Sequence, residues 1–210
     1  MYDIEKEEYE LKLTTNDHFI LASESPRRKE LFGKFGIPFD VIASGASEIV
    51  EGNHSVEETA LLIAISKTTA ILKENPSAIV IAADTIVSLG DELLMKPKDD
   101  AQAKRFLQQL SGKTHQVTTG VAVYGERHSI SFVETTLVKF YDLSEEHIDA
   151  YVATGDSLDK AGGYGIQTAG GLFVESIQGD YNNVMGLPIS RLFRELISLK
   201  LVEMEKVVDL

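Results

Sequence analysis

Cysteine is absent from the 210 residues, which removes disulfides, zinc–thiolate centres and cysteine nucleophiles from consideration. Positive charge is scarce: 20 Lys and Arg stand against 33 Asp and Glu, a formal net charge of −13. General nucleic-acid binding needs a basic surface that displaces counterions from phosphates, so no nucleic-acid partner is expected. No stretch approaches the roughly 18 apolar residues of a membrane span, and the segment from Met1 to Glu10 is acidic rather than signal-like. No membrane partner is expected either, and cytoplasmic residence is the default. The five histidines, His18, His54, His115, His128 and His147, show no metal-ligand spacing. Ser111-Gly-Lys-Thr114 ends like a P-loop, but Leu107 holds the earlier glycine position and a helix precedes it, so that match is set aside. An acidic chain can still hold a small anion if its cations are gathered in one pocket.

The chain has the length of one domain or two joined lobes. Residues 1–17 are polar, acidic and without clear period, and are read as an extension; residues 18–205 are read as one domain of two lobes. Phe19 to Ala22 read as a short buried strand, and Ser23 to Ser25 as a polar turn. Pro26 suits the first position of a helix capped by Ser25. Phe39 to Ala43 follow as a second strand. Ser55-Val-Glu-Glu58 fits a capping box that opens a helix to about Lys73. The apolar run Ala78 to Ala83 has the character of a central strand covered on both faces, and it delivers Asp84 and Thr85 at its end. Gly90-Asp91 marks a hairpin, Asp99 starts another helix, and Gln116–Tyr124 and Ser129–Tyr141 alternate as adjacent antiparallel strands. A glycine-rich segment, 159–167, lacks the dinucleotide pattern. Early alternation of strands and helices followed by an antiparallel pair predicts a mixed α/β sheet.

The polar residues at strand ends and in loops share a logic. Arg27 and Arg28 lie in the first turn of a helix, where the dipole disfavours cations, which suggests an anion between them and the free N–H groups. A solvated helix face is the plain alternative. Arg27, Arg28, Lys67, Lys96 and Lys160 offer positive charge, and Glu48 and Asp84 offer carboxylates for a metal or a proton. Gln167 could read a polar edge such as that of a base. Each has a dull counterpart: a turn for Asp84, a snorkelling stem for Lys67, solvent for Lys96 and Glu48.

Six motifs, taken in order, resemble the Maf family of nucleotide pyrophosphatases over about residues 19 to 197. They are Leu21-Ala-Ser-Glu-Ser-Pro-Arg-Arg28, Ala83-Asp-Thr-Ile-Val87, Lys96-Pro97, Leu110-Ser-Gly-Lys-Thr-His115, Asp159-Lys-Ala-Gly-Gly-Tyr-Gly-Ile-Gln167 and Asn183-Val-Met-Gly-Leu-Pro188. The resemblance implies cleavage of a nucleoside triphosphate to the monophosphate and pyrophosphate with Mg²⁺ or Mn²⁺. It also implies a homodimer and an elongated, twisted mixed sheet flanked by helices, with two lobes around a cleft, similar to inosine triphosphate pyrophosphatases. The Tyr-Gly-Ile-Gln form resembles the branch acting on dTTP and UTP. By that likeness Asp84 is the proton acceptor, with Lys67 and Lys96 beside it as catalytic groups. Ser23, Ser25, Arg27, Arg28, Thr85, Lys160 and Gln167 are substrate-binding positions, and Glu48 and Asp84 are the metal ligands. Two departures stand out: Ser47 replaces an acidic residue usual before the Glu48 position, and Asp180 replaces a small residue. The alternatives are a non-catalytic regulator of division that binds a partner, or a pyrophosphatase for inosine, xanthosine or 7-methyl-guanosine triphosphate.

Overall fold

The computed structural model describes residues 9–208. Its centre is a seven-stranded mixed sheet ordered β3-β2-β4-β6-β7-β8, with β5 paired to β4. The strands are β2 (Phe19–Leu21), β3 (Phe39–Val41), β4 (Ile79–Leu89), β5 (Glu92–Leu94), β6 (Thr114–Tyr124), β7 (Ser129–Phe140) and β8 (Val174–Gln178). β3, β2 and β4 run parallel; β5 and the β4-β6-β7-β8 series are antiparallel. Helices α1 (Pro26–Gly33), α2 (Val56–Glu74), α3 (Asp100–Leu110), α4 (Glu145–Val152), α5 (Tyr181–Val184) and α6 (Ile189–Ser198) complete the chain. The mixed α/β architecture is the one expected.

Local chemistry explains most of these boundaries. Ser25 caps α1, accepting from the Arg28 N–H, with Pro26 at the first helical position. Both halves of the Ser55–Glu58 capping box form. Asp99 and Ser144 cap α3 and α4 in the same way. Asp180 also acquires a role, because its carboxylate accepts the Asn182 N–H at the start of α5.

The structure departs from the sequence reading in two places. β4 does not end at Asp84: it continues to Leu89, with Asp84 opposite Gly120 and Thr85 opposite Thr119 of β6. The polar pair interrupts the apolar pattern without interrupting the hydrogen-bond ladder. Residues 9–14, read as extension, form β1 (Tyr9–Thr14), which pairs antiparallel with β9 (Glu203–Val208) as a separate ribbon. Leu13, Leu201 and Val202 bury the near end of that ribbon. Residues 1–8 of the extension lie outside the described residues.

Apolar burial is divided along β4. Phe19, Leu21, Ile79, Ile81 and Ala83 join Phe32 of α1 and Leu192 and Leu196 of α6 in one core. Val87 belongs to a second core with Leu107 of α3, Val117, Phe140, Ile148 of α4, Tyr164 and Phe173. On the opposite face, Val80 and Ala82 pack against Ile71 of α2. Residues 84–86 therefore fall between two separately packed bodies. β2 accompanies β4 only to Ile81 and β5 begins at Val87, so one edge of β4 lies open between them. That gap opens a cleft between the two cores.

Candidate active site

A cavity of about 620 Å³ occupies this cleft. Its walls contain each of the eleven expected residues: Ser23, Ser25, Arg27, Arg28, Glu48, Lys67, Asp84, Thr85, Lys96, Lys160 and Gln167. These come from the β2–α1 turn, the loop after β3, α2, the middle of β4, the segment after β5 and the glycine-rich loop. Ligands favour the carboxyl ends of parallel strands, where helix N-termini converge, and the β2–α1 turn occupies such a position.

Successive residues of a strand face opposite ways, and that alternation builds the centre. Asp84 shares the face of Val80 and Ala82 and meets α2. There Lys67 Nζ donates to Asp84 Oδ1 and to Glu48 Oε1, both at 2.7 Å. Lys67 and Asp84 are only 8% and 7% exposed; a charge so buried needs its partner. Glu48 is more open, its side chain 48% exposed. The hydrogen bond from Lys67 is the largest influence on Glu48 and outweighs burial, and nearby Lys96 and Arg28 add to it. Together they hold its carboxyl below the usual range. An ammonium has three donors, and among the described residues Lys67 uses two.

Thr85 faces the other way and meets Arg28. The Arg28 guanidinium donates Nε to the Gly186 carbonyl at 2.7 Å and Nη2 to Thr85 Oγ1 at 3.0 Å. Burial lowers its pKa, with the Asp84 charge opposing; an arginine stays protonated regardless. Gly186 adopts a φ of 109°, a left-handed conformation that turns its carbonyl towards Arg28. Asn183 supports this approach by donating Nδ2 to the Val117 carbonyl and to Thr136 Oγ1.

At the opposite rim, Arg27 Nη1 pairs with Asp159 Oδ2 at 2.7 Å and so ties α1 to the glycine-rich loop. Lys160, 7% exposed, donates to the Asp156 carbonyl at 2.6 Å, Asp156 Oδ1 at 2.9 Å and Asp159 Oδ1 at 2.6 Å. All three of its donors are thus engaged inside the protein. For Asp156 and Asp159 burial is the largest influence and pushes upward. The hydrogen bonds they accept outweigh it, and both end below the ordinary aspartate value. Gln167 borders the cavity, and none of the side-chain hydrogen bonds among the described residues engages it. Tyr164 also lines the wall, with His115 Nε2 2.8 Å behind its hydroxyl. Burial lowers the His115 pKa to about 4, so the ring is neutral near pH 7.

Asp156, Asp159 and Gly186 were not among the residues singled out from the sequence. Asp159 could have been found, since it opens the glycine-rich motif. Asp156 has no local signal, and Gly186 contributes through its backbone alone. Ser47, at the position where an acidic residue was expected, accepts the Ile49 N–H and shapes the Glu48 loop.

The family described as Maf-like protein matches residues 18–199. The dTTP/UTP pyrophosphatase of Bacillus cytotoxicus is 50% identical over 178 residues, 85% of this chain and 93% of that protein. The dTTP/UTP pyrophosphatase of Bacillus cereus (strain AH820) is 51% identical over 177 residues, 84% and 93% of the two chains. Among solved structures, the Staphylococcus aureus Ham1 protein aligns with a TM-score of 0.42 and 19% identity, over 60% of this chain and 73% of its own.

Proposed function

The chain belongs to the Maf family, and from that membership we propose that it hydrolyses dTTP and UTP to the nucleoside monophosphate and pyrophosphate. The observation that carries this reading is the Lys67 ammonium held between Asp84 and Glu48 in a cleft that also receives Arg28. The 50% identity to a protein named for that activity supports the substrate class.

In the reaction a water oxygen bonds to the α-phosphorus while the bond from that phosphorus to the α–β bridging oxygen breaks. Pyrophosphate departs with the electron pair, and the proton of the water must be taken up. Asp84 accepts it. Lys67 holds Oδ1 of that carboxylate, which fixes its orientation and leaves Oδ2 for the water. The third Lys67 donor, Lys96 and the remaining Arg28 nitrogen offset the charge that grows on the phosphate oxygens. Arg27 and the β2–α1 turn with Ser23 and Ser25 steer the triphosphate into the cleft. Gln167 can donate and accept at once, which suits the carbonyl–imide edge of uracil and thymine.

Among the described residues no three acidic or histidine side chains form a metal cage. Glu48 and Asp84 share the Lys67 ammonium, and both carboxylates also border the cavity. Carboxylate oxygens suit a hard cation, so Glu48 and Asp84 are the residues that would hold a Mg²⁺ or Mn²⁺ brought with the substrate. When bound, such an ion neutralises phosphate charge and draws electron density from the attacked phosphorus.

The test is pyrophosphate release from UTP, dTTP, CTP, GTP, 7-methyl-GTP and ITP with Mg²⁺ or Mn²⁺. UTP and dTTP are expected to lead the ranking, and Gln167→Glu to lower that lead by about tenfold, the worth of one well-formed hydrogen bond. Preference for ITP or 7-methyl-GTP would overturn the substrate, and release from none would overturn the activity.

A further inference from the structure

Gln167 is held by a network that runs from Gly165 and Lys160 in the cavity wall to side chains behind it. The Thr168 N–H donates to the Gly165 carbonyl at 3.2 Å, closing a turn whose two central residues are Ile166 and Gln167. Ile166 packs against both cores and anchors the turn from below. Each end of the turn leads to the same carboxylate. At one end the Gly165 N–H donates to Tyr151 Oη at 3.1 Å, and that hydroxyl donates to Asp156 Oδ2 at 2.6 Å. At the other end Thr168 Oγ1 donates to Asp156 Oδ2 at 2.6 Å. Asp156 Oδ1 accepts from Lys160, so three donors converge on one side chain.

We propose that Asp156 is the positioning residue of the base-reading turn: its carboxylate clamps both ends of the segment 165–168 and so fixes where Gln167 meets the nucleobase. This rests on the reading of Gln167 given above.

The surrounding chemistry suits such a clamp. An ionised carboxylate only accepts, and it has room for all three donors. Charge-assisted bonds of this kind are short and about twice as strong as neutral ones. Tyr151 is buried in the second core and brings the rigidity of α4 to the turn. Gly165 is where the parts come closest: a Cβ there would stand 2.7 Å from both Lys160 Cε and Thr168 Oγ1. Bulk at 165 would part the turn from its clamp. The phosphate-facing group, Lys67 with Asp84 and Glu48, has no member in this network. The clamp therefore acts directly on the base side and leaves the Lys67 centre alone, reaching Arg27 at the triphosphate end only through Lys160 and Asp159.

Steady-state kinetics on the nucleotide panel, together with inhibition by inorganic triphosphate, separate these two ends. Asp156→Asn cannot accept from three donors. It is expected to raise KM for the preferred nucleotide about tenfold, the worth of one charge-assisted hydrogen bond, and to compress the ranking of bases. Its kcat and its inhibition constant for inorganic triphosphate should stay within about twofold. Asp156→Glu keeps the carboxylate and should restore most of the ranking. Thr168→Val removes a single arm and should shift the ranking in the same direction by about threefold, less than Asp156→Asn because that bond is exposed to water and the Tyr151 arm remains. An unchanged ranking in Asp156→Asn and Thr168→Val would overturn the clamp. So would a weakening of triphosphate inhibition equal to the rise in KM, which is the mark of a site that has merely loosened. If wild-type protein prefers a base other than uracil or thymine, the substrate reading falls while the clamp is still judged on that preferred base.

Discussion

Two lysines in this molecule are set in nearly the same company and have opposite consequences. Lys67 and Lys160 are each about nine-tenths buried, and each is bracketed by two carboxylates. Lys160 has a third acceptor, the Asp156 carbonyl, and is saturated. Lys67 has two and faces a cavity. The Lys160 group is local, drawn from residues 156–160, and it stiffens a loop. The Lys67 group joins residues 19 and 17 positions away, so it exists only once β4, α2 and the loop after β3 have assembled. The difference teaches that a buried cation with a donor to spare can serve a substrate, whereas a saturated one serves the fold. Arg27 connects the two regions through Asp159.

Substitution at each centre should separate the two roles. Asp84→Asn preserves shape, and losing a general base typically costs about 10² to 10⁴ in rate. Single-turnover hydrolysis of UTP should show that loss, together with a lower melting temperature, because buried Lys67 then keeps Glu48 as its one charged partner among the described residues. An undiminished rate would remove Asp84 from the chemistry.

Lys160→Met leaves Asp156 and Asp159 without their shared cation. Breaking a buried pair costs 3–5 kcal/mol as a rule. Asp159 is half exposed, so about 3 kcal/mol, read from urea unfolding, is the expected loss. The kcat should fall by less than the ~10² that marks loss of a general base. A rate collapse with unchanged stability would reverse the roles assigned to the two lysines.

The smallest effect concerns pH and the second lobe. His115 has its pKa lowered to about 4 by burial against an ordinary 6.5, so the folded protein keeps the ring neutral while the unfolded chain takes up a proton. Its contribution is complete above about pH 6.5 and is lost as the pH falls towards 4. Between pH 7 and pH 5 this amounts to about 2 kcal/mol. Urea unfolding across that interval should show it, with a flatter profile in His115→Gln. Equal slopes in the two proteins would show that His115 does not govern the acid limb.

Much of this arrangement could be read from the sequence because its signals are local. The Ser55–Glu58 capping box, the Ser25-Pro26 helix start and the Gly90-Asp91 hairpin depend on neighbours in the chain, and the structure contains all three. The eleven residues expected at the site meet in one cleft because the motifs that mark them fall where strands, helices and loops meet around β4. What escaped depends on distant partners. The passage of β4 through Asp84 and Thr85 is enforced by β6, some 35 residues later, and polar residues in mid-strand resemble a strand end. The ribbon of β1 and β9 needs the opposite terminus of the chain, and neither half carries a clear period. Asp156 draws its meaning from Tyr151 and Thr168 on either side of a glycine-rich loop, a pattern without sequence periodicity.

The most direct test of the hydrolytic centre is to follow UTP cleavage in water enriched with oxygen-18 and to locate the label. A water oriented by Asp84 onto the α-phosphorus places the heavy oxygen in UMP and leaves pyrophosphate unlabelled. Label in pyrophosphate or in orthophosphate would mean attack at another phosphorus and would contradict the account.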